Sequence, residues 1–269
     1  MNAMLDAIKL YIAFGKVTFI SQFEYRTAYI LRTFGKIINW FSGFVMIMVL
    51  LSKFQSMGGW SMYEILFLYA MNELSYAIGS TFFIRPCQRL PRYIQSGNFD
   101  QVLTKPVNPL LYMICMEVSA GYTSNYVIGI IVMVTCLTKL SIALSAGKII
   151  WLVIVILGGA CIHAAAQLAT SVPAFWMIKS NSLMGFFYYN PMRFVEYPMT
   201  IYNTVIQGIL TFVMPYAFIS FYPAQYFLGK ETLFHPALQF MTPLVGALLL
   251  GGAYLFWLKG LNSYKSSGS

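Results

Sequence analysis

The chain has 269 residues, of which 59% are hydrophobic and only 9% are charged, whereas an ordinary soluble domain carries roughly 25% charged residues. This composition leaves a water-soluble fold of such length without enough polar surface, so it argues against a soluble enzyme and indicates an integral membrane protein. The net charge of +9 fits the Lys and Arg that membrane proteins collect in cytoplasmic loops, and we expect no nucleic-acid partner.

The N-terminal residues 1–36 are predicted to form a cytoplasmic amphipathic segment. Apolar residues recur near helical spacing from Leu5 to Ile20, with Lys9 and Lys16 between them. A basic amphipathic helix before a first span is typical of a helix that lies in the membrane interface. An ordinary juxtamembrane charge cluster is the alternative that the same residues allow.

Apolar runs between charged residues predict the membrane spans, since a spanning helix needs about 20 mainly apolar residues. The six predicted spans cover residues 37–52, 61–84, 118–138, 149–178, 203–221 and 241–258. The run that contains the fifth span is too long for one straight helix, and Pro215 and Pro223 interrupt it. We therefore expect an all-α integral membrane protein with six transmembrane helices, in which residues 1–269 form a single transmembrane domain.

The segment between the last two predicted spans, residues 222–240, is aromatic, rich in proline and weakly charged. Such a segment is tolerated at membrane depth only where protein or a water-filled cavity satisfies its backbone. It predicts an extracytoplasmic re-entrant hairpin between helices 5 and 6. The residues selected for this hairpin are Phe221, Tyr222, Pro223 and Tyr226.

The distribution of basic residues predicts the orientation of the chain. Six spans place both termini on one side, and with the N-terminus inside, the inner segments are 1–36, 85–107, 178–203 and 259–269. These segments hold 13 of the 17 basic residues. Because Lys and Arg collect on the cytoplasmic side, we expect a multi-pass protein with both termini in the cytoplasm.

The sequence offers few groups for chemistry. It contains no GxxxxGK[ST] nucleotide motif, two histidines, and four cysteines without a CxxC pair, so we expect no catalytic residues and no metal site in this chain. Glu73 lies near the middle of the second span beside Asn72, and ionisable groups at that depth are costly. Asn72, Glu73 and Glu117 are therefore candidates for a pathway or a subunit interface. The alternative for Glu73 is a protonated carboxyl group packed between helices.

The second cytoplasmic segment, residues 85–107, is named here the coupling segment. Glycine and prolines punctuate it, and a short helix there would present apolar and basic side chains to a cytoplasmic partner. Leu90, Tyr93 and Ile94 fall at helical spacing and are predicted to fill a groove on that partner, with Arg89 and Arg92 at the rim. Gly97 permits a turn that directs two further residues back towards the membrane, and these are Phe99 and Asp100. A solvated basic loop that only sets the topology is the alternative.

Several stretches resemble the membrane permeases of the ATP-binding cassette type-2 exporter superfamily, in its bacterial branch of export permeases. The matching stretches are GWSMYEILFLY (59–69), LPRYIQSGNFDQVLTKPVNPL (90–110), Phe175 and Trp176 with Ile178 and Ser180–Met184, YPMTIY (197–202), ILTFVMPYAFISFYPAQYFLGK (209–230) and the ending GLNSYKSSGS. They keep the family's order and spacing over nearly the whole chain. Lys105 departs from the family pattern, in which arginine is common before Pro-Val-Asn-Pro.

This resemblance implies a half-transporter in a bacterial cytoplasmic membrane, surrounded by membrane lipid. The coupling segment would dock on a separate ATPase subunit, which would hold the ATP and Mg that this chain lacks. A second permease, related but different, would complete the pathway, and the hairpin would help to close it on the outer side. An ATPase-independent secondary transporter or channel and a membrane scaffold or sensor are the alternatives.

Overall fold

The computed structural model describes residues 56–143, 145–177 and 181–265, together with isolated positions among residues 13–49. Apart from those isolated positions, the predicted amphipathic segment 1–36 and the predicted first span 37–52 lie outside the described residues, as do Ile178, Ser180 and residues 266–269. The described chain is built from helices. Its only pairing of β type, among these residues, is an isolated bridge in the tight turn between Met57 and Trp60.

The first described helix, α1, covers Met62–Gln95. Ser61 and Glu64 form a capping box at its start, in which the Ser61 backbone N–H donates to the Glu64 carboxylate at 2.7 Å. With a rise of 1.5 Å per residue, its 34 residues extend about 51 Å, well beyond a hydrocarbon core of about 30 Å. The helix therefore continues past the predicted end of the second span.

The continuation of α1 corrects the prediction that a short helix carries Leu90, Tyr93 and Ile94 in the coupling segment. Its first half is the end of α1, which passes through Pro86 and Pro91 without stopping. The predicted break at Gly97 is present, and a short helix, α2, follows over Asn98–Leu103.

The next helices form an interrupted stretch rather than one continuous helix. They are α3, Pro109–Met116, a 3₁₀ turn, Ala120–Tyr122, and α4, Thr123–Lys139. Between α3 and α4 the Ser119 backbone N–H donates to the Thr81 carbonyl of α1 at 2.9 Å. α4 covers most of the predicted third span and is apolar, although it is short for a membrane span.

Two long apolar helices match the predicted fourth and sixth spans. α5 covers Ala146–Ser171 and continues in a 3₁₀ turn, Val172–Phe175, while a later helix covers Thr242–Asn262. Among the described residues, these two stretches are long and apolar enough to cross a membrane, and a bent helix pair over residues 204–228 would be a third if it formed one span. The helix α1 packs against α4 and α5, and α5 packs against the helix Thr242–Asn262.

The chain between these two spans first runs the length of the bundle in irregular helical turns. These are α6, Asn181–Met184, a π-helical turn, Gly185–Tyr189, α7, Asn190–Met192, and 3₁₀ turns at Arg193–Glu196 and Met199–Ile201. Near its start, Gln88 of α1 donates to the Tyr189 hydroxyl at 2.8 Å. Near its finish, the Thr200 hydroxyl donates to the Gly58 carbonyl at 2.9 Å.

These contacts correct the prediction that residues 178–203 lie on the same side as the coupling segment. We name the two ends of the bundle after Trp60, which precedes α1, and Gly97, which follows it. Gln88 lies towards the Gly97 end, whereas Gly58 adjoins the Trp60 end. Residues 181–201 thus connect the two ends, and Thr200 lies opposite the coupling segment.

The next segment is bent and is not the straight helix predicted over 203–221. α8, Thr204–Gly208, continues as a π-helical turn, Ile209–Val213, and is followed by a 3₁₀ turn, Tyr216–Phe218, and by α9, Phe221–Leu228. The two limbs meet at an angle of 80°. Both limbs have their outer ends at the Trp60 end, because Thr200 contacts Gly58 and Lys230 donates to the Gly59 carbonyl at 2.9 Å.

The last described elements are a 3₁₀ turn over Pro236–Phe240 and the helix α10, which is the helix Thr242–Asn262 introduced above. The backbones of α10 and α5 come into contact at glycine residues. A Cβ atom on Gly158 would lie 2.9 Å from the Pro243 Cα, and one on Gly246 would collide with the Gly158 carbonyl oxygen. Glycine at these positions allows the two helices to touch.

Candidate functional site

The Gly97 end brings three of the predicted site residues together. The Arg89 guanidinium donates to the Glu117 carboxylate at 2.7 Å, and the Tyr93 hydroxyl donates to the same oxygen at 3.1 Å. The Glu117 side chain is 5% exposed and that of Arg89 is 56% exposed. Arg89 and Tyr93 lie four residues apart on α1, so both reach the carboxylate at the end of α3. The structure therefore places Glu117 with the coupling segment.

The environment of Tyr93 keeps its hydroxyl protonated. Burial raises the pKa of Tyr93, and the neighbouring carboxylate of Glu117 raises it further. Because the raised pKa lies above the usual tyrosine value of about 10, the side chain stays a hydrogen-bond donor at neutral pH. The buried Glu117 carboxylate thus accepts hydrogen bonds from two stable donors.

The turn at Gly97 positions α2. Gly97 has φ = 71°, in the left-handed region that glycine adopts at little cost. The turn places Phe99 in a fully buried position, with its ring centroid 5.0 Å from that of Tyr264 and 5.5 Å from that of Phe175. The Tyr264 hydroxyl donates to the Asp100 carboxylate at 2.9 Å. α2 is thereby attached to the ends of α5 and α10.

Burial divides the predicted coupling residues into two groups. Leu90 and Phe99 are 0% exposed within this chain, so both pack into its own core, and Leu90 does not fill a groove on a partner as predicted. Tyr93, Ile94 and Asp100 are half-buried. The exposed residues of this region include several that the sequence did not single out: Gln95, Ser96, Asn98, Gln101, Leu103 and Thr104.

A polar cavity of about 310 Å³ opens beside this exposed surface. Its lining residues are Arg89, Arg92, Tyr93, Ser96 and Asn98. Each of these side chains carries a hydrogen-bond donor. We name the cavity, together with the exposed residues of α2, the docking surface.

The predicted intramembrane residues Asn72 and Glu73 have partners within the chain. The Asn125 amide donates to the Glu73 carboxylate at 3.0 Å, and the Asn72 amide oxygen lies 3.3 Å from the His163 ring nitrogen Nε2. Asn72 is buried and Glu73 half-buried. A role of Glu73 in a pathway or a subunit interface stays a prediction.

A buried polar network extends from Asn72 and was not foreseen from the sequence. His163 Nδ1 lies 3.0 Å from the Tyr188 hydroxyl, and Gln167 donates to that hydroxyl at 2.6 Å and to Ser80 at 2.8 Å. The network connects α1 and α5 to the π-helical turn Gly185–Tyr189. Polar residues four apart in an apolar run, such as His163 and Gln167, are the signal in the sequence that could have indicated it.

The residues predicted for the hairpin lie in α9 and are mostly buried. Phe221, Tyr222 and Pro223 are buried and Tyr226 is half-buried. The Tyr222 and Thr211 hydroxyls, one on each limb of the bent pair, lie 2.8 Å apart.

Lys230 fixes the returning limb to the start of α1, which the sequence did not indicate. Its ammonium group lies 3.1 Å from the Glu64 carboxylate and 4.8 Å from the centre of the Trp60 ring. The Trp60 ring in turn packs 5.5 Å from that of Phe221.

Within the described ranges, no group of three or more His, Cys, Asp or Glu side chains is placed to hold a metal ion.

Comparison with known proteins identifies the family. The family model described as "ABC-2 family transporter protein" matches residues 37–268, which is most of the chain. No curated protein and no solved structure matches the chain. The matched residues include every helix described above and all residues of the docking surface. The chain therefore belongs to the ABC-2 family of transporter membrane proteins and is a permease of that type.

Proposed function

We propose that this chain is the membrane-spanning permease subunit of an exporter that a separate ATPase subunit powers at the docking surface. The chain has no nucleotide-binding motif, so ATP-driven movement has to enter through contact with another protein. The observation that carries the proposal is the construction of the Gly97 end. There α2 is anchored by Phe99 and Asp100, while its opposite face and the polar cavity remain exposed.

The contacts support a revised arrangement in the membrane. We place the Gly97 end in the cytoplasm and the Trp60 end outside a bacterial cytoplasmic membrane. The six crossings are then the predicted first span 37–52, α1, α4, α5, the irregular segment 181–201 and α10. Residues 204–228 form a re-entrant hairpin, because both its limbs start and finish beside the Trp60 end.

Cysteine labelling tests this arrangement. With the four native cysteines replaced, Thr204→Cys and Ser56→Cys are expected to react with a membrane-impermeant thiol reagent from outside intact cells. Ser96→Cys is expected to react only after permeabilisation, because it lies at the opposite end of α1. All three positions are exposed. If Thr204→Cys does not react with the reagent in intact cells, residues 178–203 lie on the cytoplasmic side, as first predicted.

Replacement of exposed residues of α2 tests the docking role. The double variant Gln101→Ala, Leu103→Ala is expected to insert normally but to lose most of the ATPase that copurifies with the tagged wild-type chain. Both side chains are exposed, so their removal leaves the fold intact. Retained ATPase is measured per permease after purification in mild detergent.

Lys259→Ala is the matched control, because Lys259 is exposed in the last turn of α10 at the same end of the bundle. Unchanged ATPase retention in the double variant would remove the support for docking through α2. A wild-type chain that retains no ATPase would favour a secondary transporter or a channel, and retention of a kinase or a regulator would favour a scaffold.

The complex is proposed to contain a second, related permease that completes the transport pathway with this chain. The resemblance of the sequence, which implies two membrane subunits, supports this pairing. Glu73 is proposed to face that pathway or the subunit interface, because it is half-buried near the middle of the predicted second span and a carboxylate facing lipid is costly.

A further inference from the structure

Two arginines lie on one side of the polar cavity at the end of α1. Arg89 and Arg92 are three residues apart, so their side chains project from the same face of the helix. The hydroxyls of Tyr93 and Ser96 and the amide of Asn98 complete the lining. No carboxylate belongs to this lining, and the Glu117 carboxylate lies behind Arg89 and binds its guanidinium.

The positive charge of this cavity is only partly compensated. Glu117 accepts one N–H of Arg89, whereas a guanidinium carries five. Arg92 is exposed, and among the residues that the structure describes no carboxylate forms an ion pair with it. Of these two cations, only Arg89 has an anionic partner among the described residues.

The position of the cavity favours a protein ligand over a lipid headgroup. Arg92 lies eight residues beyond Ile84, where the predicted second span ends, and Ser96 lies twelve beyond it. These separations correspond to about 12 and 18 Å along a helix, whereas the headgroup layer is roughly 5–8 Å thick on each side of the hydrocarbon core. Arg89, five residues beyond Ile84, lies at about 7.5 Å and thus at the edge of that layer, so the part of the cavity around Arg92 and Ser96 faces the cytoplasm beyond the headgroups.

We infer that this cavity receives an acidic side chain, Asp or Glu, from the ATPase subunit, with Arg92 as its main partner and Arg89 as a shared one. The planar fork of an arginine matches a carboxylate with two parallel hydrogen bonds. The ion pair forms next to Glu117, which keeps Arg89 oriented towards the cavity. This inference rests on the proposed docking function and specifies the chemistry of the contact.

The test uses the ATPase that copurifies with the tagged wild-type chain, recombined with purified variants in detergent. Arg92→Glu is expected to reduce ATPase retention about tenfold or more, since charge reversal removes the pair and repels the carboxylate. The ATPase retention of Arg92→Lys is expected to lie between those of the wild type and Arg92→Glu, because lysine keeps the positive charge but lacks the planar fork of the guanidinium group. Lys259→Glu, a reversal at another exposed cation of the same end, is expected to retain wild-type binding.

Replacing the acidic residues of the ATPase one at a time by lysine provides the decisive result. One of these changes is expected to restore binding to Arg92→Glu while weakening binding to the wild-type chain. Wild-type retention in Arg92→Glu would overturn the inference and leave the proposed function standing. Absence of ATPase from the wild-type preparation would overturn both.

Two other sources of an anion give distinct outcomes. If Arg92→Glu loses the ATPase only in nanodiscs that contain phosphatidylglycerol, the cavity holds a lipid phosphate and the inference is wrong. If the double variant Asp6→Asn, Glu24→Gln reproduces the effect of Arg92→Glu, the carboxylate comes from this chain's own N-terminal segment and the inference is equally wrong.

Discussion

Replacing Phe99 with alanine is expected to lower the free energy of unfolding by about 3–5 kcal/mol, the usual cost of emptying a packed aromatic position. The Phe99 ring is fully buried and contacts the rings of Phe175, Trp257 and Tyr264. Its loss leaves a cavity between α2 and the ends of α5 and α10. Thermal unfolding of the purified protein in detergent measures the change, and ATPase retention is expected to fall with it because α2 loses its anchor.

Leu103→Ala is the control for this experiment, because it truncates a residue of the same short helix that is 39% exposed. Its unfolding temperature is expected to stay near that of the wild type. Equal unfolding temperatures for Phe99→Ala and Leu103→Ala would show that α2 is not held by the aromatic cluster.

Replacing Gly79 with alanine is expected to separate α1 from α5 and destabilise the protein by about 1–3 kcal/mol, as overpacking does in close-packed interiors. A Cβ atom at Gly79 would lie 2.7 Å from the Ala160 carbonyl oxygen and 3.0 Å from the His163 Cβ. The first of these atoms belongs to the backbone, so no side chain can turn aside to make room. The hydrogen bonds of His163 in the polar network are expected to break as the helices part.

Gly251→Ala provides a matched comparison within another long helix. A Cβ atom at Gly251 would have nothing within 4 Å, so the change is expected to be neutral or to stabilise α10 by up to about 1 kcal/mol through its helix propensity. Thermal unfolding in detergent measures both variants. A stable Gly79→Ala protein would mean that α1 and α5 are not in backbone contact at this point.

The sequence predicted the helices whose ends are marked by charges. α5 and α10 match two predicted spans because each follows an uncharged run that is bounded by charged residues. The full length of α1 was missed because Pro86 and Pro91 suggested a loop, although a helix can pass a proline when its surroundings satisfy the freed carbonyl. The helical turns of segment 181–201 were not predicted, because Asn190, Pro191 and Arg193 interrupt its run of apolar residues.

The candidate site was predicted in its residue types but not in its contacts. Gly97 was identified correctly as a turn because its flexibility is a local property. The pairing of Arg89 with Glu117 joins residues 28 positions apart, and no local pattern records such a distance. Leu90 and Phe99 look alike in sequence whether they face a partner or the interior, and only the packing of α2 on Phe175 and Trp257 distinguishes the two.

The glycine contacts between α5 and α10 determine how these two helices can move. Their backbones touch where Gly158 meets Gly246, and Gly260 closes against Val172 and Phe175 further along. These two contacts, at Gly246 and at Gly260, are separated by about 21 Å along α10, at 1.5 Å per residue. Because two such contacts prevent the helices from sliding or bending independently, α5 and α10 move as one rigid body. A displacement of α2 at one end of this rigid body therefore tilts both helices and reaches their other ends.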